Sequence, residues 1–390
     1  MFFQSVIGQA AVKAHLTDTV DRGRIAHAQI LAGGEGSGNL ALALAYAQYV
    51  LCENRTTNPN SNTHDSCGEC ASCRKVSQSI HPDVHYSYPT VGTKAISTEY
   101  LPEWRKAIAE NPYLSAHDWF AKLGAENKQG NITKDECADI LRKLSLKAFE
   151  GSYKILILWM PEYLGKEGNR LLKLIEEPPV DTLFLLVTEN LSQVLTTVLS
   201  RCQLVRVEVL HDTDIAQALC ERENVLPDRA QAIANLVDGN YNEALSLARN
   251  PNAAAKAGEI DPADRFLAWF RIAYKADPTE MLARVEELAK LGREEQKYFF
   301  RYVLFFLREY TVTILSGSPS PRLREKEQTA AAGLSKVVAF EQIEPMADLM
   351  NDCIFAVERN ANPKILLLDA TIQLHGILRR TAMYEGIIQN

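Results

Sequence analysis

Apolar and polar positions divide the chain into two regimes. Up to about residue 210, short continuous apolar runs alternate with stretches of helical spacing; beyond it only helical spacing remains. Ala28–Ala32 (AQILA), Lys154–Met160 (KILILWM), Thr182–Thr188 (TLFLLVT) and Gln203–Leu210 (QLVRVEVL) predict strands. Runs without a polar alternate predict burial on both faces, as in parallel strands covered by helices. Asn39–Leu51, Glu162–Glu177 and Ser192–Leu199 predict the intervening helices, the second stopped by Pro178-Pro179. The first part is therefore expected to be an α/β domain.

Asp212–Arg249 predicts helices only. Asn250-Pro251 and the Ala/Gly-rich stretch to Gly258 predict a linker. From Pro262 onward the spacing predicts an all-helical bundle, with Tyr298–Leu315 as an inner helix and Ser316–Pro321 as a loop. The expected domains are residues 1–210, 211–250 and 260–390. Residues 92–131 interrupt the alternation and read as an insertion. They carry Tyr100, Trp104, Tyr113, Trp119 and Phe120. One or two helices around a small core of their own are expected there, with a partner-binding aromatic face as the alternative.

Composition narrows the function classes. The chain has 390 residues, 46% hydrophobic and 23% charged, which excludes disorder for most of its length. A net charge of −7 argues against a grip on nucleic acid by bulk electrostatics. No stretch approaches the roughly 18 apolar residues of a membrane span. The first 30 residues lack the pattern of a signal peptide. A cytoplasmic protein with reduced thiols is the expectation. Cys137, Cys202, Cys220 and Cys353 lie in apolar segments and read as small core residues.

The other four cysteines are grouped. Cys52, Cys67, Cys70 and Cys73 have the spacing C-x14-C-x2-C-x2-C, with a polar excursion after the first. Two-residue gaps wrap a chain around one ion, and four thiolates favour tetrahedral zinc. Four protein ligands leave no open position, so the metal would be structural. An iron–sulfur cluster is the main rival, and His64 is the weaker candidate to replace a thiolate.

Gly33-Gly34-Glu35-Gly36-Ser37-Gly38-Asn39-Leu40 lies between a predicted strand and helix, where a phosphate-binding loop sits, with glycines at G-x-x-G-x-G. A working loop follows with Lys for phosphate charge and Ser or Thr for Mg²⁺. Here Asn39 and Leu40 stand there, and Glu35 adds negative charge. Ile155–Leu158 is followed by Trp159 and Met160 where two acids would hold the metal; Glu162 reads as a helix-start residue. ATP binding is not expected. On the loop alone, a plain glycine turn is an equal reading.

FQSVIGQAAVKAHL and RIAHAQILAGGEGSG, then LLKLIEEPP (Leu171–Pro179), FLLVTEN (Phe184–Asn190) and LSRCQ (Leu199–Gln203), together resemble the bacterial clamp-loader AAA+ family. Gly239–Leu245 (GNYNEAL) resembles its sensor 2 motif, with Asn242 in place of arginine. The resemblance covers about residues 1–91 and 132–250. It implies an AAA+ α/β domain, a helical lid and a C-terminal collar. It also implies gamma/tau and delta subunits as partners, the sliding clamp and primer-template DNA reached through the complex, and a structural zinc. In the family, the arginine of Ser200-Arg201-Cys202 enters the ATP site of a neighbouring subunit. The losses at the loop, strand and sensor imply a non-hydrolysing subunit within the polymerase III holoenzyme. Without the resemblance, Arg201 reads as an arginine paired to a carboxylate. Lys166, Arg170 and Lys173 share a helical spacing and read as a solvated face, with phosphate contact as the alternative. An active gamma/tau-type ATPase and a zinc-containing scaffold outside replication are the competing functions.

Overall fold

The computed structural model describes residues 1–58, 63–125, 130–249, 262–335, 337–359 and 361–388. It forms two compact units: residues 1–234 with 238–245, and residues 235–237 with 246–390.

In the first unit, α1 (Ala10–Asp21) leads to β1 (Ala28–Ala32), the glycine loop and α2 (Asn39–Leu51). A hairpin of β2 (Thr56–Asn58) and β3 (Thr63–Asp65) and the short α3 (Ala71–Ser77) surround the grouped cysteines. β4 (Val84–Ser87), α4 (Leu101–Glu110), α5 (Ala116–Lys122) and α6 (Lys134–Ser145) precede β5 (Lys154–Trp159). Then come α7 (Leu172–Glu176), β6 (Thr182–Thr188), α8 (Thr196–Leu199), β7 (Gln203–Arg206) and α9 (Asp212–Glu223). α10 (Pro227–Leu236) and α11 (Tyr241–Arg249) follow.

The α/β class is as expected. Five parallel strands lie in the order β4-β5-β6-β1-β7. The runs AQILA, KILILW and TLFLLVT are buried at every position because they occupy the sheet interior with helices on both faces. α2 is buried all round, as its alternation of Leu, Ala and Tyr requires.

Three expectations change. The strand from Gln203 ends at Arg206 rather than Leu210; it is an edge strand paired only to β1, and Val205 is its one buried residue. The expected helix over 162–177 is a 3₁₀ stretch, Pro161–Leu171, broken at Gly165 (φ +48°), followed by α7. Pro178-Pro179 lie just beyond it. β4 was not foreseen; at four residues, VHYS is too short to announce a strand. Of the scattered cysteines, Cys137 and Cys353 are buried, but Cys202 and Cys220 are half-exposed.

The insertion holds two helices, α4 and α5, but not a core of its own. Trp104 stacks on Tyr88 (4.2 Å between ring centroids) and leans on Trp159 at the end of β5 (5.2 Å). Trp119 is edge-on to both Tyr88 and Trp104 and donates from Nε1 to the Pro89 carbonyl (2.8 Å). Phe120 meets Tyr163. Trp104 and Trp119 are fully buried. Trp104, Tyr113, Trp119 and Phe120 are buried where the insertion meets the rest of the unit, and Tyr100 is half-buried.

At the opposite strand ends, buried Asp83 accepts the backbone N–H groups of Phe149, Glu150 and Gly151 at 2.6–2.9 Å. Burial opposes its charge, but these amides hold the carboxyl below its ordinary value. The loop displays Phe149, 82% exposed.

The second unit contains α12 (Pro262–Lys275), α13 (Pro278–Ala289), α14 (Arg293–Ser316), α15 (Glu325–Leu334), α16 (Ile343–Glu358) and α17 (Pro363–Ile388). Its core gathers Phe266, Trp269, Phe299, Phe300, Phe306 and Tyr310. α14 is an inner helix as far as Tyr310, but Val312, Ile314 and Leu315 are exposed. The expected linker at 250–258 lies outside the described residues. Among the described residues, no helix is long and apolar enough to cross a membrane.

Candidate functional site

The glycine loop connects β1 to α2, with Gly36 (φ +70°) and Gly38 (φ +95°) in the left-handed region. Gly33 has no space for a side chain: a Cβ there would lie 2.3 Å from the Val207 carbonyl. Asn39, at the lysine position, turns inward and donates from Nδ2 to the carbonyls of Gly33 (2.6 Å) and Thr188 (3.2 Å). It therefore ties the loop to the end of β6, where a lysine would point into the cradle. Leu40 is buried in the first turn of α2.

The outer side of the loop is covered by protein. Asn240 donates from Nδ2 to Glu35 (3.1 Å), and the Tyr241 amide donates to the Gly36 carbonyl (3.2 Å). A Cβ on Gly36 would fall 1.9 Å from Asn240 Oδ1. The Tyr113 ring from the insertion lies against Gly38 and edge-on to Tyr241 (4.9 Å). Its hydroxyl accepts the Ile7 amide (2.8 Å). Asn242, at the sensor position, accepts from Asn111 Nδ2 (2.6 Å) and donates to Asp118 Oδ2 (2.6 Å). Gln9 adds a bond to the Ser37 carbonyl (3.2 Å).

At the strand end where acids would hold a metal, Trp159 and Met160 are buried. Glu162 sits in the first turn after them and accepts from the Thr188 hydroxyl and the amides of Glu189 and Asn190. Burial, then the nearby carboxylates of Glu35, Glu162 and Asp118, push Glu189 up to about 8.

The four grouped cysteines converge. Their sulfur atoms all lie within 4.8 Å of one another. Cys52 and Cys67 are 3.6 Å apart, and Cys67 and Cys73 4.0 Å. Tetrahedral ligands at ~2.3 Å from zinc would be about 3.8 Å apart, so the set fits. The amides of Cys67, Cys70 and Cys73 donate to the sulfurs of Cys52, Cys67 and Cys70 at 3.3–3.4 Å, as in a thiolate knuckle. Burial disfavours the Cys67 thiolate, but the amides of Cys70 and Glu69 and the neighbouring thiols pull it down to about 7. Burial raises Cys52 and Cys73. His64 is not in the group; its Nδ1 lies 2.9 Å from Asp21.

Arg201 follows α8. Its Nε and Nη2 approach Glu176 Oε1, and its Nη1 donates to the Thr197 carbonyl (2.7 Å) and Ser200 Oγ (3.1 Å). Cys202 packs against the sheet's helical cover. Lys166, Arg170 and Lys173 are exposed, and Arg170 pairs with Glu167 (2.6 Å).

Residues 8–211 match a family model described as DNA polymerase III, delta subunit. The chain belongs to this family. It is 26% identical over 252 residues to DNA polymerase III subunit delta' of Bacillus subtilis, covering 65% of this chain and 63% of that protein. It is 24% identical over 244 residues to the delta' subunit of Escherichia coli, covering 62% and 60%. It is 22% identical over 394 aligned positions to subunit tau of Bacillus subtilis, covering 95% and 61%. The chain thus spans less than two thirds of the length of each of these relatives. Among solved structures, a DNA polymerase III, gamma subunit-related protein from Thermotoga maritima is matched with a TM-score of 0.40 and 15% identity, over 94% of this chain and 99% of that one.

The resemblance to delta'-type clamp-loader subunits is thereby borne out. In the structure the glycine loop, the end of β6 and the turn before α11 come together through Asn39 and Asn240. What sequence reasoning missed is that Asn111, Tyr113 and Asp118 of the insertion join them. The aromatic content of residues 92–131 signalled burial, but nothing local named the partner.

Proposed function

We propose that this chain is a non-hydrolysing, delta'-type subunit of a bacterial clamp loader. It would carry an AAA+ α/β domain (1–210), a helical lid (211–250) and a collar (260–390). It would assemble in the cytoplasm with gamma/tau and delta subunits and help place the sliding clamp on primer-template DNA. The observation that carries this reading is Asn39. Its Nδ2 donates to the carbonyls of Gly33 and Thr188, at the position where hydrolysis needs a lysine free to reach phosphate. Trp159 in place of an acid, and Asn242 in place of arginine, support the same conclusion.

Cys52, Cys67, Cys70 and Cys73 would hold a structural zinc. Arg201, framed by Ser200 and Cys202, would serve in trans. A guanidinium brought to a neighbour's γ-phosphate stabilises developing charge and contributes on the order of 10³–10⁵ in rate. In the isolated chain it rests on Glu176, so engagement exchanges a carboxylate for a phosphate, both bidentate acceptors.

The test is ATP turnover by a reconstituted clamp loader containing wild-type chain or Arg201→Ala. Turnover falling by several orders of magnitude in an intact complex is expected; unchanged turnover would remove the role of Arg201. The similarity to a tau subunit along 95% of the chain favours a second reading, an active gamma/tau-type ATPase. ATP hydrolysis by the isolated chain would select it. A complex-free chain that binds only zinc would select a scaffold outside replication.

A further inference from the structure

In a nucleotide-binding loop with a closing lid, the ligand's phosphates bridge the two. Here the bridge is made of protein. The turn before α11 reaches the loop through Asn240, which donates to Glu35, and Tyr241, whose amide donates to the Gly36 carbonyl, so it lies over the outer side of the loop. The insertion completes the closure from the other side. Tyr113 stands between Gly38 and Tyr241, and Asn111 and Asp118 bind the two ends of the Asn242 amide. The insertion is itself anchored, because Trp104 leans on Trp159, the residue that replaced the metal-binding acid. Asp118 is fixed a second time by its capping box with Ser115.

The geometry points to the 92–131 insertion as a built-in substitute for the nucleotide: through Asn111, Tyr113 and Asp118 it holds the Asn240–Asn242 turn closed on the glycine loop with no ligand bound. This deepens the reading of a non-hydrolysing subunit and rests on it only in taking Gly33–Leu40 as a former phosphate loop. Two neutral amides, Asn240 and Asn242, each donate to a carboxylate, so closure depends on Glu35 and Asp118 accepting. An arginine at 242 is not needed once no phosphate charge has to be met. The lid is then shut at every ATP concentration.

Hydrogen exchange on the full chain tests this. Asn242→Asp sets a carboxylate against Asp118 while preserving shape. Exchange at residues 34–42 and 239–245 should rise about tenfold or more, with β5 and β6 unchanged. Asn111→Ala removes the bond to Asn242 and the acceptor for the Tyr113 amide (2.9 Å), and decides the matter if Asn242→Asp fails to fold; a rise confined to the same two segments is expected. Unchanged exchange in the folded variants would overturn the latch. So would added protection of residues 33–40 in the wild-type chain on adding millimolar Mg-ATP. ATP turnover by the wild-type chain would instead defeat the non-hydrolysing reading, so the two failures are distinct.

Discussion

Trp104 lies 5.2 Å from Trp159, ring centroid to ring centroid, and neither side chain is accessible to solvent. One residue comes from the insertion. The other ends β5, an interior strand of the sheet. The end of β5 and the insertion therefore belong to a single packing unit. An aspartate at 159 would place a charge under Trp104, and a chain without Trp104 would expose Trp159.

Placing an acid at position 159 should destabilise rather than activate. Trp159→Asp deletes a fully buried aromatic and buries a carboxylate, at a cost of roughly 3–5 kcal/mol or more. Urea unfolding should show the loss, and ATP turnover should stay at background. A variant that gained turnover while keeping its stability would contradict the packing account.

Removing metal should loosen the N-terminus. Asp65, next to the cysteine cluster, accepts the amides of Phe3 and Gln4, and the Phe2 ring covers Gly68. About one zinc per chain is expected by elemental analysis. After chelation, or in Cys70→Ser, the melting temperature should fall and proteolysis should appear within residues 1–9. A chelated protein with an unaltered melting curve would show that the thiols carry no metal of structural consequence.

Glu189 should make stability fall with rising pH. Its carboxyl is pushed up to about 8 in the folded chain, above the ordinary value of about 4.3 in an unfolded one. The folded state thus holds the proton more tightly. The stabilisation this provides is complete below about pH 4 and is lost as pH rises through 8. Melting temperatures between pH 5 and 9 should decline in the wild-type chain and flatten in Glu189→Gln. Parallel curves would remove Glu189 as the cause.

Arg201 should matter little to folding. Its pair with Glu176 is partly exposed, so Arg201→Ala should change the stability of the isolated chain by less than about 1 kcal/mol. A larger loss in urea titration would make the side chain structural, and a fall in turnover would then need no finger.

Much of this was legible in the sequence, for definite reasons. The strands at 28–32, 154–159 and 182–188 are continuous apolar runs, and interior parallel strands leave no polar alternate to blur them. Cys67, Cys70 and Cys73 announce themselves by local spacing. Edge elements were harder: VHYS is only four residues long, and QLVR buries only Val205, so their patterns are weak. The closure of the loop was invisible because Asn111 and Asn242 are 131 positions apart and each is an ordinary polar residue locally. Glu162 was legible as a first-turn acid, but not as the acceptor for the loop after β6.

The Asp83 carboxylate gives the loop at Phe149 a further property. Three backbone hydrogen bonds already fix the conformation in which this ring is displayed. A surface that covers Phe149 would remove apolar area from water without first having to freeze a floppy segment. The usual entropic toll of binding to a loop is therefore largely absent here. The ring is a preorganised knob, and Asp83→Asn would make it a pliable one.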